Sequence, residues 1–176
     1  FDRFKDQLGT IRAYRMAKKY HDCQLVLAGS GVLHDLEGEA VLAEVQEAAG
    51  NDPDIHILQL PPEADREINA LQRGASIVLQ RAIKEGFGVT VSEAMWKGKP
   101  VIGGTAGGVS AQIVHEATGF IVHSVEGEAF RIRYLLSNPS VMTRMGAMAK
   151  EHVRRNFLIT RHLTDYFTML KLLGSK

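Results

Sequence analysis

At 176 residues, with 45% hydrophobic and 23% charged side chains and a formal net charge of +1, the chain has the make-up of one globular domain with its own core. That balance excludes disordered and collagen-like classes, and scattered Lys and Arg residues at near-neutral charge argue against nucleic acid or an anionic membrane as a partner. The single cysteine, Cys23, allows no internal disulfide, and no stretch approaches the about 20 apolar residues that span a bilayer, so a cytoplasmic protein is expected.

In chain order, amphipathic spacing predicts a helix over 6–20, and a continuous apolar strand over 24–28 then ends in Gly29-Ser30-Gly31. A helix over 38–49, a strand over 55–58 and a helix over 65–73 follow. The next strand, 76–80, leads through a loop into a helix over 89–97; strand 100–103, helix 109–116, strand 119–122 and helix 126–136 complete the alternation. Strands that are apolar throughout need cover on both faces, which predicts an α/β fold, a doubly wound and mainly parallel sheet of Rossmann-like type. After Leu136 two helices are predicted, 139–156 and 160–173, with Pro139 at a helix start. Leu163, Tyr166, Phe167, Leu170 and Leu173 share one face of the last helix and require a partner surface. No repeat or linker divides the chain, so 1–176 reads as one domain with extra C-terminal helices. It opens on Phe1 with neither an initiator methionine nor a signal-like segment, so a longer natural protein is expected.

Ligands of such sheets bind outside the strand C-termini, which directs attention to the loops 29–31, 59–62, 81–88 and 103–108. The loop 81–88 carries the strongest pattern: Glu85-Gly86-Phe87-Gly88-Val89-Thr90-Val91-Ser92-Glu93, two carboxylates around a glycine turn that opens a helix. Free amides at Gly88, Val89 and Thr90 would suit a phosphate, Gly86 and Gly88 permit close approach and positive φ, and Phe87 supplies an apolar wall. Glu93, one turn into the helix, could accept hydrogen bonds from a vicinal diol such as a ribose, while Glu85 stays on the loop. A structural alternative stands beside this one: Thr90-Val91-Ser92-Glu93 also fits a capping box, in which Glu93 only folds back on its own helix start.

The Glu85-x7-Glu93 motif with its Gly-Phe-Gly turn, followed by Ala94-Met95-Trp96, Gly98, Pro100-Val101 and Gly107-Gly108 before a helix, resembles the C-terminal domain of GT-B retaining glycosyltransferases of family 4. Stretches 1–6, 24–29, 69–72, 123–127 and 156–162 further resemble the branch of that family that forms trehalose, so the similarity spans essentially the whole chain. The resemblance implies a catalytic Glu85 beside the donor sugar, a catalytic Lys5 that neutralises the diphosphate, and Glu93 on the ribose hydroxyls. Backbone around Gly86, Phe87, Gly88, Val89 and Thr90 would hold the sugar and diphosphate. The donor would be UDP-, ADP- or GDP-glucose, with no side chain near 59–62 selecting a base, and glucose would be the acceptor. No cofactor and no metal are implied, because a lysine and a helix N-terminus take the metal's place. An N-terminal GT-B domain of the same protein would complete the cleft, and a homodimer stays open.

The sequence also departs from the family. A strand, and an arginine five residues before the lysine, would fall upstream of Phe1, which predicts a gap in the sheet; Ala82 stands where a serine is usual. Gly29-Ser30-Gly31 lacks the third glycine and the acid of a dinucleotide fingerprint and reads as a turn. The seven histidines show no metal-ligand spacing, His123 and Cys23 read as edge or packing residues, and Met95 and Trp96 read as core. A nucleotide-sugar-binding module without turnover, or a scaffold, are the competing functions.

Overall fold

The computed structural model describes residues 1–30 and 36–174, so Gly31 of the first expected ligand loop lies outside the described residues. A short 3-10 turn, Arg3–Lys5, leads into α1 (Gln7–Lys18). The junction residue Asp6 is left-handed, with φ 50°, and its carboxylate accepts the Gly9 amide at 3.1 Å, satisfying one of the free donors of the first helical turn. There follow β1 (Leu25–Ser30), α2 (Leu36–Ala49), β2 (Ile55–Leu60), α3 (Asp65–Gly74), β3 (Val78–Gln80) and α4 (Val89–Trp96). The chain then forms β4 (Val101–Gly103), α5 (Gly107–Gln112), β5 (Gly119–Ile121), α6 (Val125–Ser137), α7 (Pro139–Asn156) and α8 (Ile159–Gly174). Ser124 caps α6 by accepting the Gly127 amide at 3.1 Å, and Pro139 stands at the start of α7, where a missing N–H costs nothing.

All strand pairs are parallel, as the continuous apolar runs predict. β1 pairs with β2, Leu25 opposite Ile55, while β3, β4 and β5 form a second ladder in that order, with Val78 opposite Val101 and Val101 opposite Gly119. Both faces of the second ladder are covered. Ile102 packs with Phe120, Ala13, Ala17 and Leu135 beneath α1 and α6, whereas its neighbour Val101 packs with Val91, Met95, Val109 and Ala149 beneath α4, α5 and α7. A strand's side chains alternate between faces, so one strand seeds two cores, each such buried aliphatic contributing about 1.5–3 kcal/mol. A third cluster joins Ile11 and Tyr14 of α1 to Leu25, Val41, Val45 and Ile55, and Leu79 of β3 touches both this cluster and that of Ile102.

The helix expected over 109–116 instead occupies Gly107–Gln112. Its continuation is stopped where Ile113 becomes extended, the Thr118 hydroxyl accepts the Val114 amide at 2.9 Å, and Glu116 takes φ 67°. α8 has no buried residue: Leu163, Tyr166, Phe167, Leu170 and Leu173 are all exposed. No helix among the described residues is long and apolar enough to cross a membrane.

Candidate active site

The glycine turn after β3 is shaped by one left-handed residue. Gly88 has φ 81° and acts as N-cap of α4 without any side-chain cap, and an added Cβ would sit 3.3 Å from Glu85 Cγ and from Val109 Cγ2. That conformation is cheap only for glycine. Gly86, in contrast, does not use positive φ, and a Cβ there would meet nothing within 4 Å. Its face is open to a ligand. The amides of Val89 and Thr90 belong to the first turn of α4, where no intrahelical acceptor exists, while Val91 N already bonds Gly88 O at 2.9 Å. Because α4 starts at Val89 and not after Thr90, the capping box is not formed.

Glu93 is held from outside its helix. Its Oε2 accepts from Gln72 Nε2 at 3.0 Å, and Gln72, nearly buried on α3, accepts from Lys97 Nζ at 2.6 Å. This relay joins α3 to α4. It leaves Glu93 Oε1 with no hydrogen bond among the described residues.

Glu85 is more enclosed than a loop glutamate would be, with its side chain 15% exposed. Its Oε2 forms an ion pair with Lys5 Nζ and accepts from Gln80 Nε2 at 3.3 Å, and its Oε1 takes the Gly86 amide at 3.2 Å. The segment bearing Lys5 reaches this loop because Ile83 N donates to Phe4 O at 2.7 Å and Arg81 pairs with Asp6. Lys5, Glu85 and the head of α4 are thereby brought together. Loop 103–108 converges on them as well: Gly104 N donates to Gln80 O at 3.0 Å, and at Gly108 the backbones approach so closely that a Cβ would run into Gly86 O and Phe87 Cα.

Several contributors were not singled out by sequence. Gln112, fully buried on α5, donates through Nε2 to Phe87 O, to Gly88 O at 3.3 Å and to Gly108 O at 2.9 Å, while Ser92 donates its hydroxyl to Gln112 Oε1. One amide thus ties the loop carbonyls of Phe87 and Gly88 to that of Gly108 in α5. Its only sequence signal is a lone glutamine beside Val109 and Ile113. Gln72, Gln80 and Arg81 gave no signal of their own.

The remaining residues sort plainly. Met95 is buried as expected, but Trp96 is 41% exposed, with Lys150 Nζ 5.6 Å from its ring centre, because α4 turns that face outward. His123 is exposed. Cys23 is half-buried and burial pushes its thiol pKa up, which leaves it less reactive than a free thiol. No group of three His, Cys, Asp or Glu side chains among the described residues is arranged to hold a metal ion.

The family model described as glycosyl transferases group 1 matches residues 1–152. A trehalose synthase of Pyrococcus horikoshii is 44% identical over 176 residues, covering 99% of this chain and 42% of its own length. A trehalose synthase of Rubrobacter xylanophilus is 42% identical over 177 residues, again with 42% of its length covered, so the chain spans about two fifths of these relatives. Among solved structures, a sucrose-phosphate synthase from Thermosynechococcus elongatus superposes with a TM-score of 0.79 at 24% identity, over 99% of this chain and 44% of that one. That likeness shows the fold, the Rossmann-like C-terminal half of a GT-B architecture. A match over residues 1–152 and 44% identity to a relative across nearly the whole chain place it beyond fold likeness: the chain belongs to the glycosyl transferases group 1 family.

Proposed function

We propose that this chain is the donor-binding half of a retaining hexosyltransferase that moves glucose from a nucleoside diphosphate glucose to glucose, forming trehalose. The observation that carries the reading is the meeting of Lys5 and Glu85 beside the uncapped head of α4. It is supported by the identity to trehalose synthases along the whole chain.

In this reading the amides from Phe87 to Thr90 and the partial positive charge of the α4 N-terminus receive the diphosphate, and Gly86 gives the donor sugar room. Glu93, oriented by Gln72, accepts from the ribose hydroxyls. The Lys5–Glu85 pair is partly exposed and therefore weak, so a diphosphate can draw Lys5 toward itself at little cost. As the bond from the anomeric carbon to the diphosphate breaks, Lys5 and the amides stabilise the leaving charge. Glu85, freed of Lys5, faces the sugar as it gains oxocarbenium character, acting through charge and not as a covalent nucleophile. The acceptor hydroxyl attacks from the face that the diphosphate leaves and passes its proton to the departing diphosphate oxygen, which retains configuration. The lysine and helix terminus do the work that a metal would do elsewhere, and no metal is proposed.

The acceptor half of the cleft belongs, in this account, to an N-terminal domain of the same protein. The apolar face of α8, exposed from Leu163 to Leu173, is the surface proposed to receive it. A strand ahead of Phe1, joining the β1–β2 ladder to the β3–β5 ladder, is part of the same proposal.

The test is a panel of UDP-, ADP- and GDP-glucose offered with glucose to the full-length protein, with the product identified by NMR. α,α-Trehalose from at least one donor is expected, whereas another glucoside would move the protein to a different acceptor. Transfer by residues 1–176 alone would contradict the view that this half binds the donor without turning it over.

A further inference from the structure

A cluster of enclosed charges takes no part in the mechanism proposed above. Arg81, its side chain 14% exposed, lies between two carboxylates: it pairs with Asp6, and its Nε is 3.0 Å from Glu128 Oε2. Glu128, on α6, is fully buried, and neither of its oxygens nor Arg81 Nε has an aligned hydrogen bond. Burial pushes the Glu128 pKa up to about 7 against the opposing pull of Arg81. Buried charges of this kind are costly, and such a cluster calls for an explanation other than stability.

Its placement supplies one. Asp6 follows Lys5 directly, and Arg81 precedes Glu85 by four residues. Between the two segments run three cross-links: Arg81 to Asp6 at the deep end, Ile83 N to Phe4 O at 2.7 Å in the middle, and Lys5 to Glu85 at the outer end. The deep link is the only one of the three whose partners are both shielded, and Glu128 backs it from α6. The fit is close, because a Cβ on Gly9 would collide with Arg81 Nη2. Asp6 is also the left-handed residue that turns the chain from the 3-10 segment into α1, so the direction in which Lys5 leaves that turn depends on where Asp6 is held.

We propose that Arg81, clamped between Asp6 and Glu128, is a positioning residue that sets Lys5 opposite Glu85. The proposal rests on the reading of Lys5 and Glu85 as the reacting pair. It assigns Arg81 no contact with substrate. Geometric precision of this kind matters at a reacting centre, where an error of about 1 Å can cost about a hundredfold in rate.

Two variants of the full-length protein test it. Asp6→Asn keeps a helix-capping side chain that tolerates left-handed φ but loses the charge partner of Arg81. Arg81→Lys keeps the charge but loses the forked reach to two carboxylates. Both are expected to unfold within a few degrees of the parent, to lower kcat by about tenfold to a hundredfold, and to change donor KM by less than about threefold. Amide hydrogen exchange should rise in residues 3–7 and 81–86 and stay unchanged in α7. Unaltered kcat, or losses of kcat matched by a general loss of stability and of protection in α7, would overturn the proposal. The exchange measurement stands apart from the assigned reaction: if the parent protein transfers no glucose, local loosening in residues 3–7 still upholds the clamp, and its absence refutes it.

Discussion

Lys5 and Glu85, 80 positions apart in the chain, form an ion pair at the open end of the β-strands, beside a helix start that carries no capping side chain. Neither residue is brought there by its own secondary structure. Lys5 ends a short 3-10 turn and Glu85 sits on a loop, and both are located by what lies beneath them: Gln80, Arg81 and the backbone bond from Ile83 to Phe4.

Glu93→Ala should weaken nucleotide binding by about 1.5–3 kcal/mol, the range for hydrogen bonds to a charged group, beside a stability loss from Gln72 Nε2, which loses its acceptor. Isothermal calorimetry with the nucleoside diphosphate, beside a thermal melt, separates the two. Because α4 begins at Val89 and Glu93 bonds Gln72, a loss confined to stability would contradict the ribose assignment.

Gln112→Leu removes the donor shared by Phe87 O, Gly88 O and Gly108 O. Phe87 O is then left without its partner, while Gly88 O keeps the Val91 amide; an unpaired carbonyl costs about 1–3 kcal/mol, so the loop should relax around Phe87 and turn its amides away from the ligand. Affinity for the nucleoside diphosphate is expected to fall at least about tenfold, and affinity for the free nucleoside to stay the same. Equal losses for both ligands would show a general packing defect instead.

Gly88→Ala places a Cβ at φ 81°, against Glu85 Cγ and Val109 Cγ2. The left-handed conformation alone should cost about 1–2 kcal/mol in denaturant unfolding, with reduced donor affinity as the turn distorts. Gly86→Ala, whose Cβ meets nothing in the protein, should leave stability intact and lower donor affinity only.

Glu128 makes stability depend on pH. The carboxyl titrates at 4.5 when unperturbed and at about 7 in the fold, where burial outweighs the attraction of Arg81, and Asp6 adds to the rise. A folded pKa above the unfolded one means that the fold binds the proton more tightly. Its contribution is present in full below about pH 4.5 and is lost as pH rises through about 7. Above that, the buried charge costs up to about 3 kcal/mol. Glu128→Gln, always neutral, should therefore gain stability relative to the parent between about pH 5 and about pH 8, and a difference that does not vary with pH would contradict this.

The regular part of the fold was readable from local pattern. Apolar strands, helical spacing and Pro139 predict the succession of elements, and the structure moves most ends by one or two residues. Where the expectation fails, a tertiary detail is responsible: Thr118 closes a turn that stops α5 early, and α4 presents Trp96 to solvent. The site was less readable. Spacing alone favours a capping box at Thr90 over a ligand role for Glu93, and only the helix start at Val89 removes the capping box. The role proposed for Lys5 comes from family resemblance only, since nothing near it in sequence marks it. Gln112, Gln72 and Arg81 act across 20 to 75 positions, and no local pattern records such pairs.

The most direct measurement is transfer and donor binding by Glu85→Ala in the full-length protein, followed side by side. If Glu85 serves the anomeric centre, turnover is lost while the donor's dissociation constant rises by less than about tenfold. Unchanged turnover would contradict the account at its centre.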